Sequence, residues 1–247
     1  MSNNVLVSII TVTYNSEKTI SKAIESVLNQ SYDKIDYIIM DGASTDNTVS
    51  IANSYKEQFK KKGYSYRVIS EPDNGMYDAL NKAAKMADGE LVGQINSDDW
   101  YENDAVEKME HLYEKEKYDV AWGSIRIHKR SGTIIKKAHI GKLWTTAGFC
   151  HPAMFSKKEI LLKYPYALEN MYDDFDFATR VYLDKKKICT TEEMISNFTF
   201  GGMSNRKSWK ECKKRIGLKW HGYKKYNMSP IYWIYCFVWE TLKFILA

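Results

Sequence analysis

Proline and glycine are scarce in this chain, at 4 and 13 of 247 residues. No stretch is rich enough in either to be a linker or a collagen-like segment. The 4 cysteines, Cys150, Cys189, Cys212 and Cys236, lie far apart and form no C-x-x-C pair. That spacing excludes a zinc ribbon and a disulfide framework and reads as reduced thiols. There is no G-x-G-x-x-G after the first strand and no G-x-x-x-x-G-K-[ST] anywhere, so a dinucleotide fingerprint and a phosphate-cradling loop are both absent. The chain lacks the charged start, long apolar run and small-residue cleavage site of a secretory signal, and reads as cytoplasmic. No apolar run reaches the roughly 20 residues that span a bilayer.

What is present is the composition of a soluble globular protein, 44% apolar and 27% charged. The first hundred residues alternate between two hydrophobic periods. Short apolar runs at 5–12, 35–40, 66–70 and 90–95 predict buried strands. Helical spacing between them predicts helices from Ile20, over 45–62 with Gly63 as stop, over 76–87 and over 104–117, with Ser16 as the first N-cap. The alternation implies right-handed βαβ units and a mainly parallel, Rossmann-like sheet flanked by helices. Beyond Asp119 the pattern changes. A hairpin over 120–128 and 133–139 turns at Arg130-Ser131-Gly132, a helix covers 174–185, a strand covers 188–200, and the remainder is helical.

Each of the first four strands ends in polar residues that a sheet core would reject. They are Thr13-Tyr14-Asn15, Asp41-Gly42, Glu71-Pro72-Asp73-Asn74-Gly75 and Asn96-Ser97-Asp98-Asp99. The carboxyl ends of parallel strands line the ligand crevice of an open sheet, so these four ends converge on one acidic, amide-rich pocket. Turn formation alone accounts for Gly42 and Gly75. It accounts less well for Asp98-Asp99, because adjacent carboxylates repel unless a cation separates them. Paired hard oxygens of this kind suit Mg²⁺ or Mn²⁺ shared with a diphosphate.

Residues 7–15, 40–46 and 96–99, in that order, resemble the inverting family-2 glycosyltransferases of GT-A fold. The run Glu71-Pro72-Asp73-Asn74-Gly75-Met76-Tyr77-Asp78-Ala79-Leu80-Asn81-Lys82-Ala83 resembles a subgroup that builds bacterial surface polysaccharides. The resemblance implies a nucleotide-diphosphate sugar donor, a UDP-sugar in the common case, with a divalent cation, Mn²⁺ or Mg²⁺, and a glycan or lipid-linked saccharide acceptor. It implies a catalytic domain over residues 1–200, nucleotide-binding in 1–100 and acceptor-binding in 101–200. Thr11, Thr13, Tyr14, Asn15, Asp73, Asn74, Asn81, Asn96, Ser97 and Asp98 are then expected around the nucleotide, Asp41 at the base edge, and Asp98 and Asp99 at the metal. Met40 stands where the commoner pattern has the first of two aspartates, and Asn96 where an aspartate often begins the metal motif.

Inverting transfer is an in-line displacement, and the acceptor hydroxyl needs a base to take its proton as it attacks. The family's base falls in an acidic pair followed by a further Asp and an Arg, a pattern that Asp173-Asp174-Phe175-Asp176 with Arg180 matches. Asp174 is expected as base and Asp173 as its neighbour or an acceptor ligand. The competing reading is a helix start, with acids at the dipole's positive end and Asp176 and Arg180 as an i,i+4 ion pair. His151 is expected either at the acceptor sugar or as a hydrogen-bonded core residue, and Asp176 and Arg180 share its acceptor-side assignment.

Residues 201–247 form a basic and aromatic tail. Nine Lys/Arg stand against the single acid Glu211 between Gly201 and Met228. Trp209, Cys212, Ile216, Trp220 and Tyr223 share one helical face, and the stretch 231–239 after Pro230 has the Trp and Tyr content of a membrane interface, so the tail is expected to attach monotopically to the inner leaflet. The alternative is a tail folded back on the domain or across a homodimer. Two rival functions remain open from sequence: a nucleotidyltransferase that makes the sugar nucleotide, and a membrane or nucleic-acid binding module. The first lacks a glycine-rich loop after strand one, and an acidic crevice argues against nucleic acid.

Overall fold

The computed structural model describes residues 5–145, 148–201 and 208–246. Its strands are Val7–Thr13 (β1), Ile35–Asp41 (β2), Ser65–Ser70 (β3), Leu91–Gln94 (β4), Trp100–Tyr101 (β5), Val120–Lys129 (β6), Gly132–Lys136 (β7), Met154–Lys157 (β8) and Ile188–Thr199 (β9). Its helices are Ile20–Leu28 (α1), Thr48–Ser54 (α2), Lys56–Lys62 (α3), Met76–Met86 (α4), Ala105–Glu116 (α5), Lys158–Lys163 (α6), Asp173–Leu183 (α7), Trp209–Lys225 (α8) and Ile231–Leu246 (α9). One 3₁₀ turn covers His151–Ala153.

Every residue of β1 and β2 is buried, which is why these strands are nearly continuously apolar instead of alternating. The strands form one sheet in the order β3-β2-β1-β4-β8-β6-β9-β5, with β7 paired to β6. The first four are parallel, as expected. The second half is mixed: β8 runs antiparallel to both β4 and β6, β9 runs parallel to β6, and β5 is antiparallel to β9. The chain steps outward from β1 to β3 and then returns through α4 to β4 on the far side of β1. Strand order therefore reverses between β1 and β4, which opens a crevice at their carboxyl ends.

Three local expectations give way to the structure. The helix expected over 45–62 starts at Thr48 and is interrupted at Tyr55, where the Ala52 carbonyl accepts the Tyr55 N–H at 3.3 Å and the Tyr66 hydroxyl at 2.7 Å. Lys56 N–H would need that carbonyl to continue the α-helical ladder. Ser16 does not cap α1: Thr19 precedes the helix, and the Ser16 hydroxyl pairs with that of Ser97 at 2.8 Å. The short elements β5, β8 and α6 were absent from the sequence reading, whereas the hairpin turn at 130–132 is present with Lys129 paired to Gly132.

One contact between the two halves is reciprocal. The Asn81 amide donates to the Tyr166 carbonyl and accepts the Tyr166 N–H, both at 2.9 Å. The α8–α9 hairpin folds back on the domain: Tyr223 donates to the Trp144 carbonyl at 3.0 Å, and Phe175 meets the Tyr223 ring edge-on at 4.9 Å. Cys212 and Tyr223, expected on a membrane-facing surface, are therefore buried. Arg206 and Lys207, part of the basic run, lie outside the described residues. Between the two helices Glu240, 1% exposed, accepts from Arg215 at 2.9 Å and from Lys219, with Lys243 at 3.3 Å.

Burial alone would raise the Glu240 carboxyl, but the charges of Lys219 and Lys243 and hydrogen bonds from Lys219 and Arg215 hold it down at about 2. The folded value lies below the unfolded value of about 4.3. The cluster thus stabilises the hairpin above pH ~4.3 and loses that contribution as pH falls toward 2. Glu240→Ala leaves Lys219 buried without its counter-charge and should cost about 3–5 kcal/mol in denaturant unfolding at neutral pH. The gap between variant and parent should narrow below pH ~4; a gap independent of pH would contradict this assignment. Asn81→Ala should lower unfolding free energy by about 1–3 kcal/mol, since two buried backbone groups of Tyr166 lose their partner; an unchanged denaturation midpoint would show that the bracket is idle.

Candidate active site

The loops after β1 and β2 are laced together. Asn15 adopts a left-handed backbone at φ +48°, a conformation that asparagine tolerates better than most residues. Its N–H donates to Ser44 Oγ at 2.7 Å, and its Oδ1 accepts the Thr45 N–H at 2.9 Å. Asp41 is fully buried, accepting from the Ser44 N–H at 2.9 Å, the Ser44 hydroxyl at 2.5 Å and the Ser70 hydroxyl at 2.6 Å. A Cβ at position 42 would lie 2.6 Å from Asp73 Oδ2, so glycine is what lets that carboxylate approach the β2 turn. Asp73 accepts the Gly75 N–H at 2.7 Å, and the Asn74 N–H donates to Asp78 at 3.0 Å.

Among the residues expected at the nucleotide, Thr11 belongs to the core: it is fully buried, with its hydroxyl 2.9 Å from that of Tyr37. Tyr14, by contrast, is 63% exposed at the crevice edge. Thr13 Oγ1 and Gln94 Nε2 are buried without a protein partner at the ends of the adjacent strands β1 and β4.

At the end of β4 the four-residue motif divides its labour. Asp99 is 1% exposed, accepts the Thr199 N–H at 2.9 Å and receives Asn96 Nδ2 at 3.3 Å. Burial, and then the charge of Asp98, push its carboxyl up to about 8. Asp98 is exposed, its backbone carbonyl pinned by the Thr199 hydroxyl at 2.6 Å. Partial burial raises its carboxyl as well. Ser97 is held by Ser16. A divalent cation commonly takes one or two carboxylates and leaves its other positions to water and phosphate. Asp98 fits as such a ligand, with Asp99 as the buried group behind it, since both Asp99 oxygens are already engaged. No group of three or more His, Cys, Asp or Glu that could hold a metal ion occurs among the described residues.

The first turn of α7 sorts its acids in the same way. Asp173 is 1% exposed and accepts the N–H groups of Glu169 at 2.9 Å and Asn170 at 3.1 Å, closing the loop before the helix. Asp176 is buried among Arg180 at 2.8 Å, Lys225 at 3.1 Å and the Tyr226 hydroxyl at 2.5 Å. Arg180 also donates to the Pro165 carbonyl at 2.6 Å. This pair has the structural role that the i,i+4 spacing allowed. Of these three acids Asp174 alone is half-exposed; it accepts the Phe175 N–H at 2.8 Å.

Asp174 borders a buried network at the end of β4. His151 Nε2 donates to Gln94 Oε1 at 3.1 Å, which also accepts the Tyr166 hydroxyl at 2.7 Å. Burial lowers the His151 pKa, partly opposed by the nearby Asp174 charge, so the imidazole is neutral at pH 7. Burial, then Asp174, raise the neighbouring Tyr77. Gln94 and Tyr166 were missed from sequence. A lone Gln in Leu91-Val92-Gly93-Gln94-Ile95 was the available signal for the first; Tyr166 and the latch residue Thr199 had none. Asn81, expected at the nucleotide, has its amide taken up by Tyr166.

Residues 8–185 match the model of glycosyl transferase family 2. A PGL/p-HBAD biosynthesis glycosyltransferase of Mycobacterium bovis is 26% identical over 215 residues, covering 85% of this chain and 83% of the relative. WfaP of Escherichia coli, named as a UDP-Glc:α-D-GlcNAc-diphosphoundecaprenol β-1,3-glucosyltransferase, is 35% identical over 127 residues, 50% of this chain and 47% of WfaP. Among solved structures, Staphylococcus aureus TarS 1–349 with UDP superposes at TM-score 0.66 with 20% identity, over 79% of this chain and 61% of TarS 1–349. The mannosyltransferase PcManGT of Pyrobaculum calidifontis, with GDP-Man and Mn²⁺, superposes at 0.68 with 19% identity, over 92% and 66% of the two chains. These likenesses establish the GT-A architecture, and the matched model leaves neither the nucleotidyltransferase nor the binding-module reading in place. The chain is a member of glycosyl transferase family 2.

Proposed function

We propose that the chain transfers a sugar, with inversion, from a uridine diphosphate donor to a lipid-diphosphate-linked saccharide during surface polysaccharide synthesis. The observation that carries the reading is that, in the segment after β4 and at the start of α7, one carboxylate of each acidic pair keeps exposure while its neighbour is buried: Asp98 beside Asp99, and Asp174 beside Asp173. The names of WfaP and of the TarS complex supply the precedent for uridine nucleotides, and WfaP that for the lipid-linked acceptor. PcManGT with Mn²⁺ supports a divalent ion.

In this reading Asp98 is the protein's ligand for the cation, and Thr199 and Asp99 hold its loop in place. A divalent ion there would supply positive charge against the departing diphosphate. Asp41 acts indirectly, fixing the Ser44 turn against Asn15. Asp174 takes the proton of the acceptor hydroxyl as its oxygen attacks the anomeric carbon and the nucleotide diphosphate leaves from the opposite face. One base is enough, because no glycosyl-enzyme intermediate has to be made and broken. The neutral His151, Gln94 and Tyr166 form the floor beside that base. The reaction belongs, in this reading, at the cytoplasmic face of a membrane.

Release of free nucleoside diphosphate from a panel of nucleotide sugars should require Mn²⁺ or Mg²⁺ and stop on addition of a chelator. Asp98→Asn should weaken metal-supported donor binding about tenfold or more; metal-independent turnover by the parent protein would contradict this role. Asp174→Asn should retain donor binding in calorimetry while transfer falls by about 10²–10⁴-fold. Normal turnover by that variant would remove Asp174 from the chemistry.

A further inference from the structure

Helix α9 turns five large aliphatic side chains outward. Ile231, Ile234, Val238, Leu242 and Ile245 are 49, 57, 47, 43 and 66% exposed. Their spacing of three and four places them on one stripe. The opposite face holds Tyr232, Cys236 and Glu240, all buried against the rest of the protein. A surface helix ordinarily buries its apolar stripe and exposes its charges. Here the helix's one carboxylate is inside and the stripe outside.

The stripe has an aromatic flank and a cationic border. Trp233 and Phe237 are exposed and stack at 5.5 Å. Further along, Phe244 meets Trp209 at 5.4 Å, and Lys213 Nζ lies 5.6 Å from the centre of the Trp209 ring. From Lys213 the exposed row of α8 continues through Lys210, Lys214 and Lys224. We propose that α9 docks on an anionic bilayer, lying in the headgroup plane with the α8 lysines against lipid phosphates. An uncharged stripe with Trp beside it and lysines at its border matches hydrocarbon beneath negative headgroups. The hairpin's acids are Glu211 and the buried Glu240, which leaves a second copy little with which to pair those lysines.

At 16 residues α9 is about 24 Å long, short of the ~30 Å hydrocarbon layer. No helix among the described residues is long and apolar enough to cross a membrane. Of the two tail segments that the sequence suggested, the docking face thus belongs to α9 and not to the α8 face that bears Cys212 and Tyr223. Its purpose, though not its geometry, rests on the proposed lipid-linked acceptor. Phe175 packs on Tyr223, and Asp176 bonds Lys225 and Tyr226, so docking would fix the height of the α7 start above the headgroups.

The test is cosedimentation of the full chain with vesicles of phosphatidylglycerol and phosphatidylethanolamine, against phosphatidylcholine alone. The parent should bind the anionic vesicles preferentially. The double substitution Ile234→Ser with Val238→Ser should weaken that binding about tenfold or more, and Lys213→Glu with Lys214→Glu should abolish the preference. Donor binding should be the same in all variants. The proposal is overturned if the parent ignores anionic vesicles, if it binds both vesicle types equally, or if the serine variant binds like the parent. It is also overturned if the serine change instead converts a dimer to a monomer in sedimentation equilibrium. Vesicle binding is read without turnover, so loss of the transfer reading and loss of the docking reading remain separable.

Discussion

The reversal of strand order between β1 and β4 is the constraint on which the rest of this molecule depends. Parallel strands that are buried on both faces place most of their polar side chains at their ends, and a polar group inside them, such as Thr11, needs a partner. Reversal separates the helices that follow β1 and β4, so the ends of those two strands border open space. Asn15 and Ser44 brace one wall, and Thr199 latches the other by holding both Asp98 and Asp99. The Ser16–Ser97 hydroxyl pair joins the two walls.

Carboxylates dominate the crevice, and the fold sorts them by how many donors each receives. Asp41, Asp99, Asp173 and Asp176 are buried and each accepts at least two hydrogen bonds. They hold loops and helices in place. Asp98 and Asp174 retain exposure and few donors. Sequence proximity hides this division, since each of the latter adjoins a saturated acid.

The strands of the first half were legible because each is a short apolar run with a polar end, and the two hydrophobic periods alternate cleanly there. Elements whose stability comes from distant partners were not. β8 exists because β4 and β6 flank it, and β5 because β9 receives it. The helix over 45–62 has good helical spacing throughout, yet it is interrupted at Tyr55, where a hydroxyl from Tyr66, outside the helix, reaches the Ala52 carbonyl. In the site, the candidate acids were visible by type and position, but which of two neighbours is buried depends on backbone N–H groups such as Thr199 and Glu169. In the tail, the aromatic period of α8 identified an apolar face correctly without revealing that the domain itself covers it.

The ion cluster joining α8 to α9 bears on how this protein can be shortened. Glu240 answers Lys219 and Arg215 across the hairpin, and Tyr232 stacks on Tyr223 at 4.3 Å. Deleting α9 would thus uncover an inward-facing cation and strip an aromatic partner, instead of merely cutting a tether. A version suited to crystallisation would be better obtained by repainting the outer stripe with polar side chains and leaving the hairpin whole.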